Sequence, residues 1–392
     1  MTRTLASRMD RIGTETAFAV LARARQLEAQ GREVVHLQIG EPDFDTPSNI
    51  IDAGVEALRS GWTHYGPAAG DPELRQAIVD YIRRSRGADY RPEQVLVTPG
   101  GKPIMFFLIT ALLEAGDEAI FPDPGFPIYQ SMIEFTGAKA VPIALREEND
   151  FSLDVDELRS LVTDRTKLLI INSPANPTGG ALSQADLEAI AELAIANDLI
   201  VLADEIYAEL LYDGEHHSIA ALPGMAERTV ILDGFSKTYA MTGWRLGYGL
   251  FPEWLVEPVV TLMVNSNSCT SVAVQRAGLE ALTGPQDAVG EFREAFMRRR
   301  ELIVSGLNAI PGITCVMPKG AFYAFPNITA TGMTSQQFAD YLLEDYGVAA
   351  VAGTSFGAAG EGYIRISYAT SEANLEKALG LIGQAVSALP VS

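Results

Sequence analysis

The sequence predicts an α/β fold: a mostly parallel seven-stranded sheet covered by helices, plus a smaller α/β domain made of both chain ends. Three observations predict it. Short aliphatic and β-branched runs recur along the chain, amphipathic helical stretches alternate with them, and the pattern changes near residue 285. Nearly continuous apolar strands between helices are typical of a parallel sheet that is buried on both faces.

The elements of the larger unit follow one another in simple alternation. The predicted strands are 95–98, 119–122, 140–143, 167–171, 199–203, 230–233 and 246–249. The helices predicted between several of them are 102–113, 127–136, 155–162 and 183–196. Ligands of such sheets bind beyond the carboxyl ends of the strands, so the residues just after each run are the candidates for a site.

The smaller unit is predicted from both ends of the chain. After residue 285 come a long charged helix, three strand-like segments and a last helix, at 287–310, 321–325, 348–351, 363–367 and from Ser371. The first helix, 14–30, ends before Gly31 and is expected to join this unit or to cross to a partner subunit. A chain of 392 residues favours two units. We expect a large domain at 48–285 and a small domain at 1–47 and 286–392.

Composition excludes several functions. A net charge of −21 disfavours binding to nucleic acid or to an anionic membrane. Cys269 and Cys315 are far apart without ligand-like spacing, and His216 and His217 lack helical spacing and are expected on a surface loop, so we expect no disulfide and no metal. The sequence shows no export signal and no apolar run of about 20 residues, which favours the cytoplasm.

Four predicted strands end in residues that carry chemistry, although each has a simpler explanation alone. Asp204 could cap a helix, Asn176 could belong to an ordinary loop, and the glycines in 100–102 could simply begin a helix. Lys237 would normally be a solvated lysine, but Arg245 follows it within the same loop. Together they supply an amine nucleophile, an acid, hydrogen-bond donors and a cationic phosphate site at a helix start, which are the needs of pyridoxal 5'-phosphate (PLP).

These residues belong to motifs in which the sequence resembles the class I/II aminotransferases of PLP fold type I, the aspartate aminotransferase superfamily. The motifs occur in the family's order and spacing across essentially the whole chain. They are Gly40-Glu41-Pro42-Asp43-Phe44, Asn176-Pro177-Thr178-Gly179, Asp204-Glu205-Ile206-Tyr207, Ser236-Lys237-Thr238 with Gly243-Trp244-Arg245, and Arg365-Ile366-Ser367. The resemblance implies a PLP-dependent aminotransferase that moves an amino group between an L-amino acid and a 2-oxo acid by a ping-pong mechanism.

The resemblance also implies a role for each residue. Lys237 forms the Schiff base with PLP and then shuttles the substrate proton. Asp204 keeps the pyridine nitrogen protonated, and Tyr207 and Asn176 hydrogen-bond the ring's phenolate oxygen. Arg365 binds the substrate α-carboxylate as a planar fork, a geometry for which arginine is suited.

The remaining expected roles concern the phosphate and the walls of the pocket. Phe126 is expected to stack on the ring, and the backbone at Gly40 to close the substrate side. Tyr65 resembles the family's tyrosine that reaches the phosphate from the neighbouring subunit, which implies a homodimer. The phosphate is expected to be held by Gly100, Gly101, Lys102, Ser236 and Arg245.

Departures from the family's pattern bear on specificity. Many relatives stack a tryptophan or tyrosine at the position of Phe126, and many carry a serine at Gly234. Glu15 places an acidic residue near the substrate entrance, where it would repel a dicarboxylate unless Lys102 neutralises it. The segment 265–270 contains no arginine for a distal carboxylate. Dedicated aspartate specificity is therefore not expected, and another PLP reaction, such as elimination, cyclisation or decarboxylation, stays an alternative to transamination.

Overall fold

The computed structural model describes residues 4–389. In chain order, its strands are β1 (Val35–His36), β2 (Val95–Thr98), β3 (Glu118–Asp123), β4 (Lys139–Ala144), β5 (Thr166–Asn172), β6 (Ile200–Asp204), β7 (Thr229–Gly234), β8 (Gly247–Leu250), β9 (Tyr323–Ala324), β10 (Val348–Ala349), β11 (Val351–Ala352) and β12 (Ile364–Ser367). Its α-helices are α1 (Thr16–Ala29), α2 (Ser48–Arg59), α3 (Pro72–Arg86), α4 (Lys102–Leu112), α5 (Ile128–Thr136), α6 (Val155–Leu161), α7 (Gln184–Ala196), α8 (Phe235–Thr238), α9 (Glu253–Asn267), α10 (Val272–Thr283), α11 (Asp287–Asn308), α12 (Ser335–Tyr346) and α13 (Glu372–Ser387).

The large sheet contains all seven predicted strands, which confirms the predicted fold class. Its order is β2-β8-β7-β6-β5-β3-β4. Neighbours from β7 to β4 run parallel, whereas β8 runs antiparallel to both β2 and β7. The carboxyl ends of β5, β6 and β7 therefore lie side by side at one edge of the sheet.

Local sequence explains how the helices around this sheet begin and end. Ser183 caps α7 by accepting from the N–H of Asp186, whose carboxylate in turn accepts from the N–H of Ser183. Asp71 caps α3 by accepting from the N–H of Glu73, and α3 ends at Gly87, whose φ of +70° suits glycine. Each of these helices packs an apolar face on the sheet, since Leu187 and Ile78 are buried.

The second unit has two small sheets and contributes most of one apolar core, which Tyr207, Leu210 and Tyr212 of the larger unit join. Here β1 pairs in parallel with β10, which joins the two ends of the chain, and β12 pairs with β11 and β9. The predicted strand 348–351 is wrong in one respect: it is split at Ala350 into β10 and β11, which belong to different sheets. Helix α1 contacts β10 and β11 and forms ion pairs through Arg23 with α12. It therefore packs on this unit.

The adjacent residues His216 and His217 lie in different environments. His217 is exposed as predicted, whereas the surface position expected for His216 is wrong, because its side chain is 9% exposed and lies against Glu205. No helix within residues 4–389 is both long enough and apolar enough to cross a membrane. The same residues contain no group of three or more potential ligands placed to hold a metal ion.

Candidate active site

A cavity of about 520 Å³ opens at the carboxyl ends of β5, β6 and β7, beneath the second unit. All the predicted site residues line it except Gly100 and Tyr65. The predicted residues in its wall are Gly40, Gly101, Lys102, Phe126, Asn176, Asp204, Tyr207, Ser236, Lys237, Arg245 and Arg365. The cavity thus brings together residues that are up to 325 positions apart (365 − 40), because Gly40 and Arg365 of the second unit meet the strand ends of the large sheet there.

Lys237 lies on the short helix α8, directly after β7. Its Nζ donates a hydrogen bond to the carbonyl oxygen of Gly40 over 2.5 Å. The rings of Tyr207 and Phe322 pack against each other next to this amine, with centroids 6.0 and 5.7 Å from Nζ. Burial lowers the pKa of Lys237 to about 8. A substantial fraction of this amine is therefore neutral and nucleophilic near physiological pH.

Asp204 is a buried carboxylate at the end of β6. Its Oδ2 accepts a hydrogen bond from the hydroxyl of Tyr129 at 2.5 Å, and its Oδ1 accepts from the N–H of Ile206 at 3.3 Å. Burial raises the pKa of Asp204 to about 6, although these hydrogen bonds and Lys237 act in the opposite direction. The contact with Ile206 is the local turn contact expected of a capping residue, but Asp204 and Tyr129 both also line the cavity.

A cluster of positive groups surrounds the start of α4. Gly100 has a φ of +85°, and a Cβ atom built there would lie 2.4 Å from Nη2 of Arg245, so only glycine allows this approach. Gly101 is the N-cap of α4, where backbone N–H groups are free of intrahelical partners. Ser236 and Arg245 line the cavity beside it. This geometry is typical of a phosphate site at a helix N-terminus.

The side chain of Lys102 does not point to that cluster. Its ammonium forms an ion pair with Glu15 at the cavity wall and lies 5.6 Å from the ring centroid of Phe126. The neutralisation of Glu15 that the sequence left open is therefore present. Phe18 lines the same part of the cavity, so this wall combines one ion pair with two aromatic rings.

The guanidinium of Arg365 is buried and lines the same cavity. Its Nη1 donates to Oδ1 of Asn176 at 3.2 Å and its Nη2 to the carbonyl of Gln38. The ring centroids of Tyr323 and Phe356 lie 4.6 and 4.7 Å from the guanidinium carbon Cζ of Arg365. Within the described residues, its Nε has no hydrogen-bond partner although it is buried. A buried cation with an unused donor is expected to bind an anion.

Two site residues carry no recognisable signal in the sequence. The hydroxyl of Tyr323 lies 2.7 Å from the hydroxyl of Tyr207, and a Cβ atom at Gly40 would collide with it. Tyr129 contacts Asp204 from α5. Both tyrosines lie within apolar segments that are typical of a core, so only their contacts with Asp204 and Tyr207 identify them as residues of the candidate site.

Tyr65 lies outside the cavity and is 88% exposed. Other large apolar side chains of the neighbouring segment are also exposed, notably Leu58 and Trp62. An aromatic residue this exposed makes little use of its apolar surface within one subunit.

The family of the chain follows from its sequence and fold together. Residues 32–382 match the model of the family described as aminotransferase class I and II. The chain belongs to this family. It is 46% identical to an aspartate aminotransferase of Pyrococcus abyssi, with 89% of this chain and 90% of that protein aligned. It is 44% identical to aromatic-amino-acid aminotransferase 2 of Thermococcus litoralis, covering 90% and 91% of the two chains.

Solved structures agree with the sequence comparison. An aspartate aminotransferase from Thermus thermophilus, solved with maleate, superposes with a TM-score of 0.94 at 40% identity, covering 98% of this chain and 100% of that one. This class I and II aminotransferase therefore has PLP fold type I and depends on PLP. Its reaction is the transfer of an amino group between an amino acid and a 2-oxo acid, which favours transamination over the alternative PLP reactions.

The cavity of this aminotransferase fits PLP. A phosphate needs the positive helix start beside Arg245, a pyridine nitrogen needs an acid such as Asp204, and an aldehyde needs the amine of Lys237. All three lie in the wall of one cavity. The unused Nε of Arg365 leaves a donor for the carboxylate of a substrate.

Proposed function

We propose that the amino transfer takes place in this cavity and that Lys237 is its catalytic amine. One observation carries the proposal: the lowered pKa of Lys237 occurs in the same cavity as the buried acid Asp204 and the buried cation Arg365. Perturbed titratable groups that converge in one pocket are typical of active sites. The reaction is expected to follow a ping-pong order, since donor and acceptor share this single cavity.

Each catalytic group has a distinct task. PLP, when bound, supplies an electron sink for the charge that remains when the substrate loses its Cα proton. Lys237 would hold the cofactor covalently and, once released, would move that proton. Asp204 would supply a negative charge for the protonated ring nitrogen, and Tyr129 holds this carboxylate in place. Tyr207 and Asn176 would donate to the ring's phenolate oxygen.

The substrate and the phosphate are assigned to opposite sides of the cavity. Arg365 binds the α-carboxylate, with the backbone at Gly40 closing that side and Phe126 covering the ring. The phosphate is assigned to the N-terminus of α4 with its neighbouring hydroxyl and guanidinium. These residues are Gly100, Gly101, Lys102 through its backbone, Ser236 and Arg245.

The variant Lys237→Ala tests the central assignment. It is expected to fold, to bind PLP only noncovalently, and to lose both the covalent cofactor's visible absorbance and turnover. Lys139→Ala, which removes a lysine at the opposite edge of the sheet, serves as the matched control and is expected to keep the absorbance and turnover of the wild type. Wild-type turnover by Lys237→Ala would refute the proposal.

We further propose a homodimer in which Tyr65 reaches the phosphate of the partner's cavity. Its exposure within one subunit and its absence from that subunit's own cavity support the proposal. Twofold pairing is also the commonest assembly of soluble enzymes. Analytical ultracentrifugation is expected to show a dimer at assay concentrations. A fully active monomer would refute this part.

Two further parts of the proposal concern organisation and location. The division into a large domain, 48–285, and a small domain, 1–47 with 286–392, is supported by an apolar core that comes mostly from residues 35–37 and 296–385. Residues 1–3 and 390–392 of that small domain lie outside the described residues. The cytoplasm is proposed because Cys269 and Cys315 are both free thiols.

A further inference from the structure

A cluster of charged side chains is buried on the face of the sheet opposite the cavity. At its centre, Arg86 at the end of α3 has a side chain that is 2% exposed. Its Nε, Nη1 and Nη2 lie 3.1, 3.0 and 3.1 Å from the carboxylates of Glu205, Glu209 and Asp233. One guanidinium thus joins three carboxylates that come from two neighbouring strand ends.

The cluster lies directly behind the proposed catalytic residues. Successive residues of a strand point to opposite faces, and Leu232 lines the cavity, so Asp233 faces away from it. In the same way, Glu205 follows Asp204, and its backbone continues the ladder by donating to Leu232. The carboxylate of Asp233 also accepts from the N–H of Gly234 at 2.7 Å, the N-cap of the helix that carries Lys237.

The hydrogen bonds of the cluster make it a fixed structure. Tyr248 donates to Oδ2 of Asp233 at 3.1 Å, and Ser218 donates to Oε1 of Glu205 at 2.6 Å. The Nε2 atom of His216 lies 3.3 Å from Oε2 of Glu205. The titratable and charged groups that face Asp233 from the surrounding elements are Tyr81 and Arg86 of α3, Glu205 and Glu209 after β6, His216 in the following loop, Tyr239 after α8, and Tyr248 of β8.

The cluster also affects the cavity electrostatically. Three carboxylates surround one guanidinium, so negative charge is in excess. Burial raises the pKa of Asp233 to about 7, against the opposing effect of Arg86. The charge of Glu205 in turn raises the pKa of Asp204, in the same direction as burial. The charge of Glu205, on one face of the sheet, therefore changes the pKa of Asp204 on the other face.

We propose that Arg86 and Asp233 are positioning residues for amino transfer. Their ion pair joins the strand ends that carry Asp204 and Lys237, and it contributes to the electrostatic potential in the cavity. This inference rests on the proposed roles of those two residues. It assigns a task in the reaction to residues that contact neither cofactor nor substrate.

Two conservative variants separate charge from geometry. Asp233→Asn keeps the shape but removes a negative charge, and because negative charge is in excess it is expected to fold. Without that charge, the pH midpoint of the covalent cofactor's absorbance change is expected to fall by about 0.5 unit or more. Arg86→Lys keeps the charge but replaces the three-way fork by one ammonium. It is expected to leave the midpoint unchanged and to lower kcat by about tenfold, with an unchanged KM.

Matched controls make the outcomes decisive. Arg83→Met removes an exposed arginine from the same helix and is expected to change neither quantity. If the cluster only stabilises the fold, both variants will have a changed thermal unfolding temperature but the wild-type midpoint and kcat. That result would overturn the proposal. If Arg86→Lys does not fold, the midpoint of Asp233→Asn decides alone. Failure of the proposed active site would appear separately, as turnover by Lys237→Ala.

Discussion

The variant Asp204→Asn is expected to stabilise the cofactor-free chain and to slow the reaction of the loaded enzyme. The substitution keeps the size of the side chain and removes its charge. In the described structure this carboxylate is buried, accepts from Tyr129 and Ile206, and faces no cationic side chain within ion-pair distance. The charge therefore lacks a close partner until PLP is bound.

The stability term follows from the pKa of Asp204. Burial raises it from 3.8 to about 6, so the folded chain binds more protons than the unfolded chain between these values. Stability therefore falls as the pH rises through this window, and the penalty is absent below about pH 4 and complete above about pH 6. About two pKa units correspond to about 3 kcal/mol. The amide is expected to lose one of the two hydrogen bonds of the carboxylate, which costs about 1 kcal/mol of this gain. The variant's free energy of unfolding at pH 8 is therefore expected to exceed that of the wild type by about 2 kcal/mol.

The catalytic term has the opposite sign. PLP with a protonated ring nitrogen would place a positive charge beside this carboxylate, and two unit charges in contact at an effective dielectric constant of about 20 attract each other by about 4 kcal/mol. The amide lacks this interaction, and the electron sink is weakened. A loss of about 4 kcal/mol in the transition state corresponds to about a thousandfold in rate. The affinity for PLP is expected to change less, since the phosphate site and Lys237 are unaffected.

Two measurements on the same variant check these terms. Urea unfolding of the cofactor-free proteins at pH 4 and pH 8 gives the stability difference, and a stopped-flow half-reaction with an amino donor gives the rate. Glu118→Gln is the matched control. Glu118 is also a buried carboxylate, but it lies at the amino end of β3, whereas the cavity lies at the carboxyl ends of the strands. Hydrogen bonding by Thr163, with Lys139 and Arg165, holds its pKa low, so its loss is expected to destabilise without slowing turnover. A less stable Asp204→Asn at pH 8, or a rate within tenfold of the wild type, would refute the reasoning.

Three other variants test the walls of the cavity. Arg365→Lys loses the planar fork and is expected to raise the KM for the amino donor about 30-fold; an unchanged KM in initial-rate assays would contradict the carboxylate assignment. Glu15→Gln removes the ion-pair partner of Lys102. It is expected to lower the KM for a dicarboxylic 2-oxo acid about fivefold relative to the KM for a 2-oxo acid with an uncharged side chain. An unchanged ratio of these two KM values would show that the ion pair does not govern selectivity. Tyr65→Phe is expected to weaken PLP binding to the apoenzyme about tenfold while sedimentation still shows a dimer; wild-type affinity would exclude a phosphate contact.

The fold was largely predictable because its signals are local. Each strand of the large sheet is a short apolar run between helical patterns, and burial on both faces makes that run nearly continuous. The split of 348–351 into β10 and β11 was not predictable in this way. The segment is apolar throughout, and only its pairing with β1 on one side of Ala350 and with β12 on the other divides it.

The grouping of the candidate-site residues was predictable for the same reason, but only in part. Lys237, Asp204 and Asn176 each follow a strand, and the geometry of parallel sheets places such residues together. Tyr129 and Tyr323 were missed because they act through contacts with residues 75 and 116 positions away. Aromatic residues in apolar segments are usually part of the core, so the sequence gives no reason to separate these two from the others.

The cluster around Arg86 could not be predicted at all, since its members come from five separate segments. Its existence nevertheless argues for a role beyond stability. Replacing a buried ion cluster by apolar residues is often neutral or stabilising, so such clusters are weak evidence for stability. Helix α3 already packs on the sheet through Ile78 and Ile82, which are fully buried. Apolar residues could extend that contact, but they could not place a fixed charge beside Glu205, one residue from Asp204.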